Sequence, residues 1–275
     1  MPHAGPRVSI CIPHWQVPDY ATICLRSIRK HSRRYNVEVI VVDNGSRDGS
    51  LEYLRSLDWI RLIERPDETR DNWPKNFFTA LDCGVHAATG EFFMSMHTDV
   101  FVKRDDWLEP FLREISRSER VAASGAWKLT LESPLYAWQK RIVGYATYRL
   151  KRALGGRRRH IFWQQGHYPR DYCAMYRRRV LLDRRITFDA VNGWIGGGHS
   201  VAMQIFAAGY EMGMFPVAEM AQRVAHVTHG TAAVTPWRPL NHARAQRKAE
   251  RSVSRLFQEP WVRNLRDDHS LDRAA

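Results

Sequence analysis

Residues 37–50 read VEVIVVDNGSRDGS, an apolar run that ends on an acid and then breaks into a turn. Val37, Val39, Ile40, Val41 and Val42 form a β-branched stretch, too short for a typical helix and suited to a strand covered on both faces. Asn44, Gly45, Ser46, Asp48 and Gly49 supply turn chemistry, and Ser50 is placed to cap a helix beginning near Leu51. Open α/β sheets bind ligands in the crevice beyond the carboxyl ends of their strands. Asp43 stands at such an end, either as a ligand-binding carboxylate or as the cap of its own turn.

A second short apolar strand, Val8 to Ile12 (VSICI), is stopped by Pro13 and followed by a polar loop from His14 to Asp19. A helical stretch then runs from about Tyr20 to His31. Strand, helix, strand, helix within about sixty residues predicts a βαβ unit with a right-handed crossover. The segments VSICIPHW at 8–15 and VIVVDNGSRDGS at 39–50 resemble the opening of the family-2 glycosyltransferases, nucleotide-sugar enzymes of the GT-A fold. The resemblance implies an α/β architecture: a Rossmann-like, mostly parallel central sheet with helices on both faces. It also implies that Asp43 binds the base of the donor nucleotide, with Pro13, His14 and Trp15 beside it. A carboxylate can accept a hydrogen bond from a ring N–H, so the chemistry agrees.

Further matches follow in order. Asn76 to Gly90 (NFFTALDCGVHAATG) resembles the helix leading into the family's central strand, and Asn76 matches its frequent asparagine, although Trp73, Pro74 and Lys75 replace the usual small residues. Glu91 to Met96 is that strand, ending at His97-Thr98-Asp99 where the family usually carries Asp-x-Asp. By this resemblance Asp99 reaches a divalent metal, Mn²⁺ or Mg²⁺, on the donor diphosphate, and His97 and Thr98 belong to the donor site. Hard divalent cations suit carboxylate and phosphate oxygens. His97 departs from the pattern, since a neutral imidazole is a poorer ligand for Mg²⁺ than for Mn²⁺.

Between Phe188 and Gly213 the Phe188-Asp189 pair, the Gly196-Gly197-Gly198 turn and Gly209-Tyr210 match the family's landmarks around its acceptor helix. A helix is predicted over Val201 to Ala208, with Val201, Ile205 and Ala208 on one face. The acidic pair that opens this helix in the family is replaced by His199-Ser200. Histidine can remove a proton from an acceptor hydroxyl because its pKa lies near the operating pH. His199 is therefore a candidate base and Asp189 the next, while capping of the helix by His199 or Ser200 is the structural alternative. In AHVTHGT, His226 best matches a family histidine that closes over the diphosphate and its metal, with His229 second. A structural zinc site is not indicated, because Cys11, Cys24, Cys83 and Cys173 lie far apart with no Cys-x-x-Cys.

The charge is concentrated. Of the formal +13, the segment from Tyr136 to Arg185 carries fourteen Lys/Arg against only Asp171 and Asp183, which leaves the remainder near neutral. Within it Leu135, Trp138, Ile142, Tyr145, Ala146, Leu150, Ala153 and Leu154 recur at three- and four-residue spacing, interleaved with basic residues and followed by Arg157, Arg158 and Arg159. Such a basic amphipathic helix, over about 136–160, suits an anionic membrane surface. Packing of its apolar face on the domain and contact with an anionic acceptor are the alternatives. Nucleic acid ranks below these: the basic charge fits, but no nucleic-acid-binding motif occurs.

The expected organisation is a nucleotide-sugar-binding half (1–102), an acceptor-binding half (103–235) with the basic insertion, and a C-terminal helical tail (236–275). Asp171 or Trp163 is placed to line the acceptor cleft. The tail carries a helix from about Leu240 to Phe257, docked on the body or on a partner, and the residues from about Asp267 are expected to be loose. No apolar signal region opens the chain, no run of about eighteen apolar residues occurs, and the scattered cysteines suit a reducing compartment. A cytoplasmic protein is expected, peripheral at the inner membrane face if the basic helix docks there. The function implied is metal-assisted, inverting transfer of a hexosyl or deoxyhexosyl unit from a nucleotide-diphosphate donor to a hydroxyl of a glycan or lipid-linked acceptor, as in polysaccharide biosynthesis. A catalytically inactive nucleotide-sugar or glycan binder is the rival, motivated by His97 and His199-Ser200. A nucleotidyltransferase is disfavoured because IPHWQVPDY is not a Gly/Arg/Lys-rich phosphate loop.

Overall fold

A computed structural model describes residues 5–69, 72–129, 168–194, 196–226 and 243–273, together with isolated positions between 142 and 154. The chain alternates strands and helices from its first described residues: β1 (Val8–His14), α1 (Pro18–His31), β2 (Val37–Asp43), α2 (Ser50–Arg55), β3 (Ile60–Glu64), α3 (Lys75–Ala87) and β4 (Phe92–Met96). There follow β5 (Val100–Val102), α4 (Glu109–Ile115), β6 (Val121–Gly125), β7 (Cys173–Arg177), α5 (Arg178–Asp183), α6 (Gly198–Ala207) and β8 (Glu211–Met214). The remaining elements are α7 (Val217–Arg223), β9 (Val224–His226), α8 (Ala243–Gln258), α9 (Pro260–Asp267) and a 3₁₀ turn over His269–Asp272.

Seven strands form one sheet in the order β3-β2-β1-β4-β7-β6-β8, with β7 alone running against the rest. The β-branched run in β2 is explained by helices on both faces. Val39 and Val41 point into the core under α1, whereas Ile40 and Val42 point into the core under α3. β1 divides the same way, with Ile10 and Ile12 on the first side and Cys11 on the second. Cys11, Cys24, Cys83 and Cys173 are all free thiols.

Several boundaries differ from expectation, each for a physical reason. β1 continues through Pro13 to His14. Thr98 Oγ1 donates to the Pro13 carbonyl (3.0 Å), so the proline nitrogen faces the β4 side, beyond the last β1–β4 pair at Cys11–Ser95. No ladder bond is lost there, which removes the usual objection to proline in a strand. Ser50 is the first residue of α2, and Asp48 does the capping, accepting from the Ser50 amide (3.1 Å). α6 begins at Gly198, three residues earlier than predicted, so His199 and Ser200 lie inside the helix. Ser200 is fully buried and Val201 and Ile205 face the core.

The tail docks on the body. Phe257 packs on Tyr20 (ring centroids 5.0 Å) and Phe101 (6.1 Å), while Val262, Leu265 and Leu271 are buried. Residues beyond Asp267 are fastened by a long-range ion pair. The Arg26 side chain, 2% exposed, donates from Nε to Asp272 Oδ1 (2.8 Å) and from Nη2 to Asp272 Oδ2 (2.5 Å). Arg26 also donates to the carbonyls of Leu265 and Arg266, and Tyr53 donates to Asp272.

Candidate active site

β1, β2 and β4 are parallel neighbours, so their carboxyl ends open on one edge of the sheet. His14 and Asp43 are register partners at that edge. Asp43 is 1% exposed, and its Oδ2 accepts from the Ser46 amide (2.9 Å) while Oδ1 is buried with no hydrogen-bond partner. A turn cap alone needs only one oxygen, so the second acceptor is available to a ligand N–H. His14 is buried, and its Nε2 meets Ser50 Oγ (2.9 Å). Burial lowers its pKa from 6.5 to about 4, against the opposing pull of Asp43 and Asp48, so the ring is neutral.

Neighbouring groups frame this edge. Trp15 is half-buried, and Gln16 and Val17 after it hold positive φ (55° and 61°), a strained conformation for a β-branched residue. The Gln16 amide donates to Ser46 Oγ (2.7 Å), tying this loop to the turn after β2. Arg65 Nη1 donates to Asn44 Oδ1 (2.6 Å) and to the Asn76 carbonyl (3.0 Å), joining that turn to the start of α3. Asn76 is buried, with Nδ2 on the Thr69 carbonyl (3.2 Å) and Oδ1 without a partner. Arg65 was not found from the sequence, which offers no spacing that pairs it with Asn44.

Beyond β4, His97, Asp99 and His226 place their ligand atoms within 4.8 Å of one another. The small antiparallel pair β5–β9 sets Val100 opposite His226 and so carries the histidine to Asp99. His226 Nε2 lies 3.4 Å and His97 Nδ1 3.9 Å from Asp99 Oδ1. Tyr172 stacks on the His226 ring (centroids 4.5 Å, planes 4° apart) and Phe77 meets the His97 ring edge-on (5.0 Å), fixing both imidazoles. Burial lowers the His97 pKa, outweighing the raising influence of Asp171 and Asp99, and so favours the neutral ring, which has one nitrogen free of a proton to offer a metal. A donor set of two imidazoles and a carboxylate fits a divalent transition ion such as Mn²⁺ better than Mg²⁺. His229 and Trp163 lie outside the described residues.

The region expected from the sequence to face the acceptor is built by α6 and the residues before β7. Asp171 Oδ2 accepts from the Gly198 amide (3.0 Å) at the start of α6, and Ser95 Oγ donates to the Asp171 carbonyl (2.9 Å). Gly197 has φ 76°, and a Cβ there would come within 2.4 Å of Asp171 Oδ2, so only glycine lets the carboxylate close on the helix. The resemblance places an acidic pair at this helix start, where the sequence has His199-Ser200; in three dimensions Asp171 brings a carboxylate to it. His199 meets Tyr168 edge-on (5.8 Å), and Arg170 lies over the rings of Trp127 (5.3 Å) and Tyr168 (5.4 Å). Asp189 is held elsewhere, its Oδ1 on the Ala190 amide (2.7 Å) and its own amide on Thr187 Oγ1 (3.0 Å), beside Asp82.

A mostly parallel seven-stranded sheet of this order, with these groups at its carboxyl edge, defines the chain as a GT-A glycosyltransferase fold. The chain belongs to glycosyl transferase family 2, whose profile matches residues 9–184. It is 19% identical to a mannosyltransferase from Pyrobaculum calidifontis solved in complex with GDP-Man and Mn²⁺, with a TM-score of 0.53 over 95% of this chain and 73% of that one. An uncharacterized glycosyltransferase of Haemophilus influenzae is 24% identical over 122 residues, 44% of this chain and 36% of that protein. The protein y4gI of Sinorhizobium fredii is 28% identical over 240 residues, 78% of this chain and 24% of that protein. The chain thus spans about a third or less of the length of these curated relatives.

Proposed function

We propose that the chain transfers a sugar from a nucleoside-diphosphate donor to an acceptor hydroxyl, with inversion. The observation that carries this reading is the pairing, at one sheet edge, of a buried Asp43 oxygen without a partner and the His97–Asp99–His226 cluster. Asp43 accepts from the nucleotide base, with His14, Asn76 and the Pro13–Trp15 loop shaping the pocket, and Thr98 fixes the loop that carries Asp99. His97, Asp99 and His226 would hold a divalent ion, which supplies Lewis-acid neutralisation of the departing diphosphate. The acceptor hydroxyl attacks the anomeric carbon as the bond to the diphosphate breaks, and its proton passes to a base on the α6 side. Asp171, His199 and Asp189 are the candidates for that base. The Trp127–Tyr168–Arg170 wall suits a sugar ring against its aromatic faces and an anionic group against its guanidinium, in keeping with a glycan or a lipid-linked saccharide. Mn²⁺ is the proposed metal.

The GT-A neighbour from Pyrobaculum, in complex with GDP-Man and Mn²⁺, supports a sugar nucleotide as donor. The non-catalytic alternative is countered by Asp171, which restores a carboxylate at the helix start where the sequence lacks one. The test is thermal unfolding with UDP, GDP, dTDP or CDP, each with and without Mn²⁺, on the wild type and Asp99→Ala. One nucleotide should raise the melting temperature, with a metal-dependent increment that Asp99→Ala loses. A folded protein that responds to no nucleotide would sink the reading. Release of nucleoside diphosphate from the matching sugar nucleotide then separates an enzyme from a binder.

A further inference from the structure

Five large apolar side chains stand exposed among the described residues, and four of them fall between positions 142 and 154. Ile142 is 48% exposed, Val143 58%, Leu150 62% and Leu154 77%. The described positions 142, 143, 146, 149, 150 and 153 are helical, and the Leu154 amide donates to the Leu150 carbonyl (3.0 Å). Positions 142, 146, 150 and 154 follow the four-residue spacing that places side chains on one helix face. Ala146 and Ala153 are exposed as well, so this strip is not packed on the domain. Soluble surfaces rarely leave such a strip uncovered without a partner.

The charge of the surrounding sequence indicates the chemistry of that partner. Residues 136–160 contain eight Lys/Arg and no acid. Nucleic acid would match the charge and leave the aliphatic strip in water, whereas an apolar protein groove would cover the strip and leave the charge uncompensated. A surface that is anionic at its head and hydrocarbon just beneath satisfies both. We propose that this stretch lays the protein on an anionic lipid bilayer, with Ile142, Leu150 and Leu154 in the boundary between headgroups and acyl chains. None of these residues belongs to the donor site, so the proposal stands or falls apart from the reading of that site.

The experiment is co-sedimentation with vesicles of phosphatidylcholine alone and of phosphatidylcholine mixed with phosphatidylglycerol. It compares the wild type with a variant carrying Ile142→Ser, Leu150→Ser and Leu154→Ser. The wild type should sediment with the anionic vesicles only, and less so as salt is raised. The triple variant should lose binding by at least about tenfold, with an unchanged melting temperature and an unchanged response to nucleotide. Equal binding by wild type and variant, equal binding to neutral vesicles, or no binding at all would overturn the proposal. So would gel filtration showing a wild-type dimer that the variant dissociates, since the strip would then be covered by a second copy.

Discussion

His14 and Asp43 face each other across the β1–β2 ladder, and the histidine is there as a neutral ring. In the folded state its pKa is lowered to about 4 from 6.5, so between those values the unfolded chain binds the proton more readily. Its contribution to stability is whole above about pH 6.5 and is lost as the pH falls toward about 4. Urea titrations across that range should show stability rising with pH, with a shallower slope in His14→Gln. An equal slope in the two proteins would place the charge penalty elsewhere. Among the candidate bases, Asp171→Asn should lower kcat by about 10²- to 10⁴-fold with KM for the donor little changed, and His199→Gln and Asp189→Asn should cost less. A kcat of Asp171→Asn within a few-fold of wild type would return the role to His199. Asp43 stood out in the sequence because it ends an apolar run, and Asp99 because His97-Thr98-Asp99 follows the next such run where the family resemblance expects Asp-x-Asp. Asp171 was legible only as a cleft residue: its partner Gly198 lies 27 positions on, and no local spacing pairs the two.

At the scale of elements, the strands and helices around β1, β2 and β4 follow from β-branched runs and turn residues, and their two-sided burial from the absence of alternation. The tail shows where local pattern ends. Its first helix was readable in the sequence and is described over Ala243–Gln258, whereas α9 was not expected. The anchoring of the last turn depends on Arg26, 246 positions before Asp272, and nothing near Asp267 announces it. Burial alone would raise the Asp272 pKa, yet the hydrogen bonds from Arg26 and Tyr53 outweigh it and hold the carboxyl below its ordinary value. That stabilisation is present above the ordinary carboxylate range and is lost only as the pH falls through the lowered value. Asp272→Asn leaves the Arg26 guanidinium buried without its counter-charge and should destabilise the fold by about 3 kcal/mol. Urea unfolding at neutral pH measures it; a loss below about 1 kcal/mol would mean the pair behaves as a surface ion pair.

For the whole molecule, the candidate donor site joins distant parts of the chain: Asp43 ends the second strand, whereas His226 ends the last described strand and reaches Asp99 through the β5–β9 pair. No described helix is long and apolar enough to cross a membrane. A ligand gripping both parts stabilises the body as one unit, by about 2.7 kcal/mol at a hundredfold excess over its Kd. For a chain of 275 residues that corresponds to a rise of roughly 5 °C in the melting temperature. Asp43→Ala should remove the response to nucleotide with or without Mn²⁺, because the base contact precedes any metal contribution. His226→Ala should keep the metal-independent part and lose only the increment that Mn²⁺ adds. The two variants thus separate base recognition from metal holding by calorimetry alone. A His226→Ala protein with the full Mn²⁺ increment would show that the β5–β9 pair positions the histidine for packing on Tyr172 and not for the metal, leaving His97 and Asp99 to hold it.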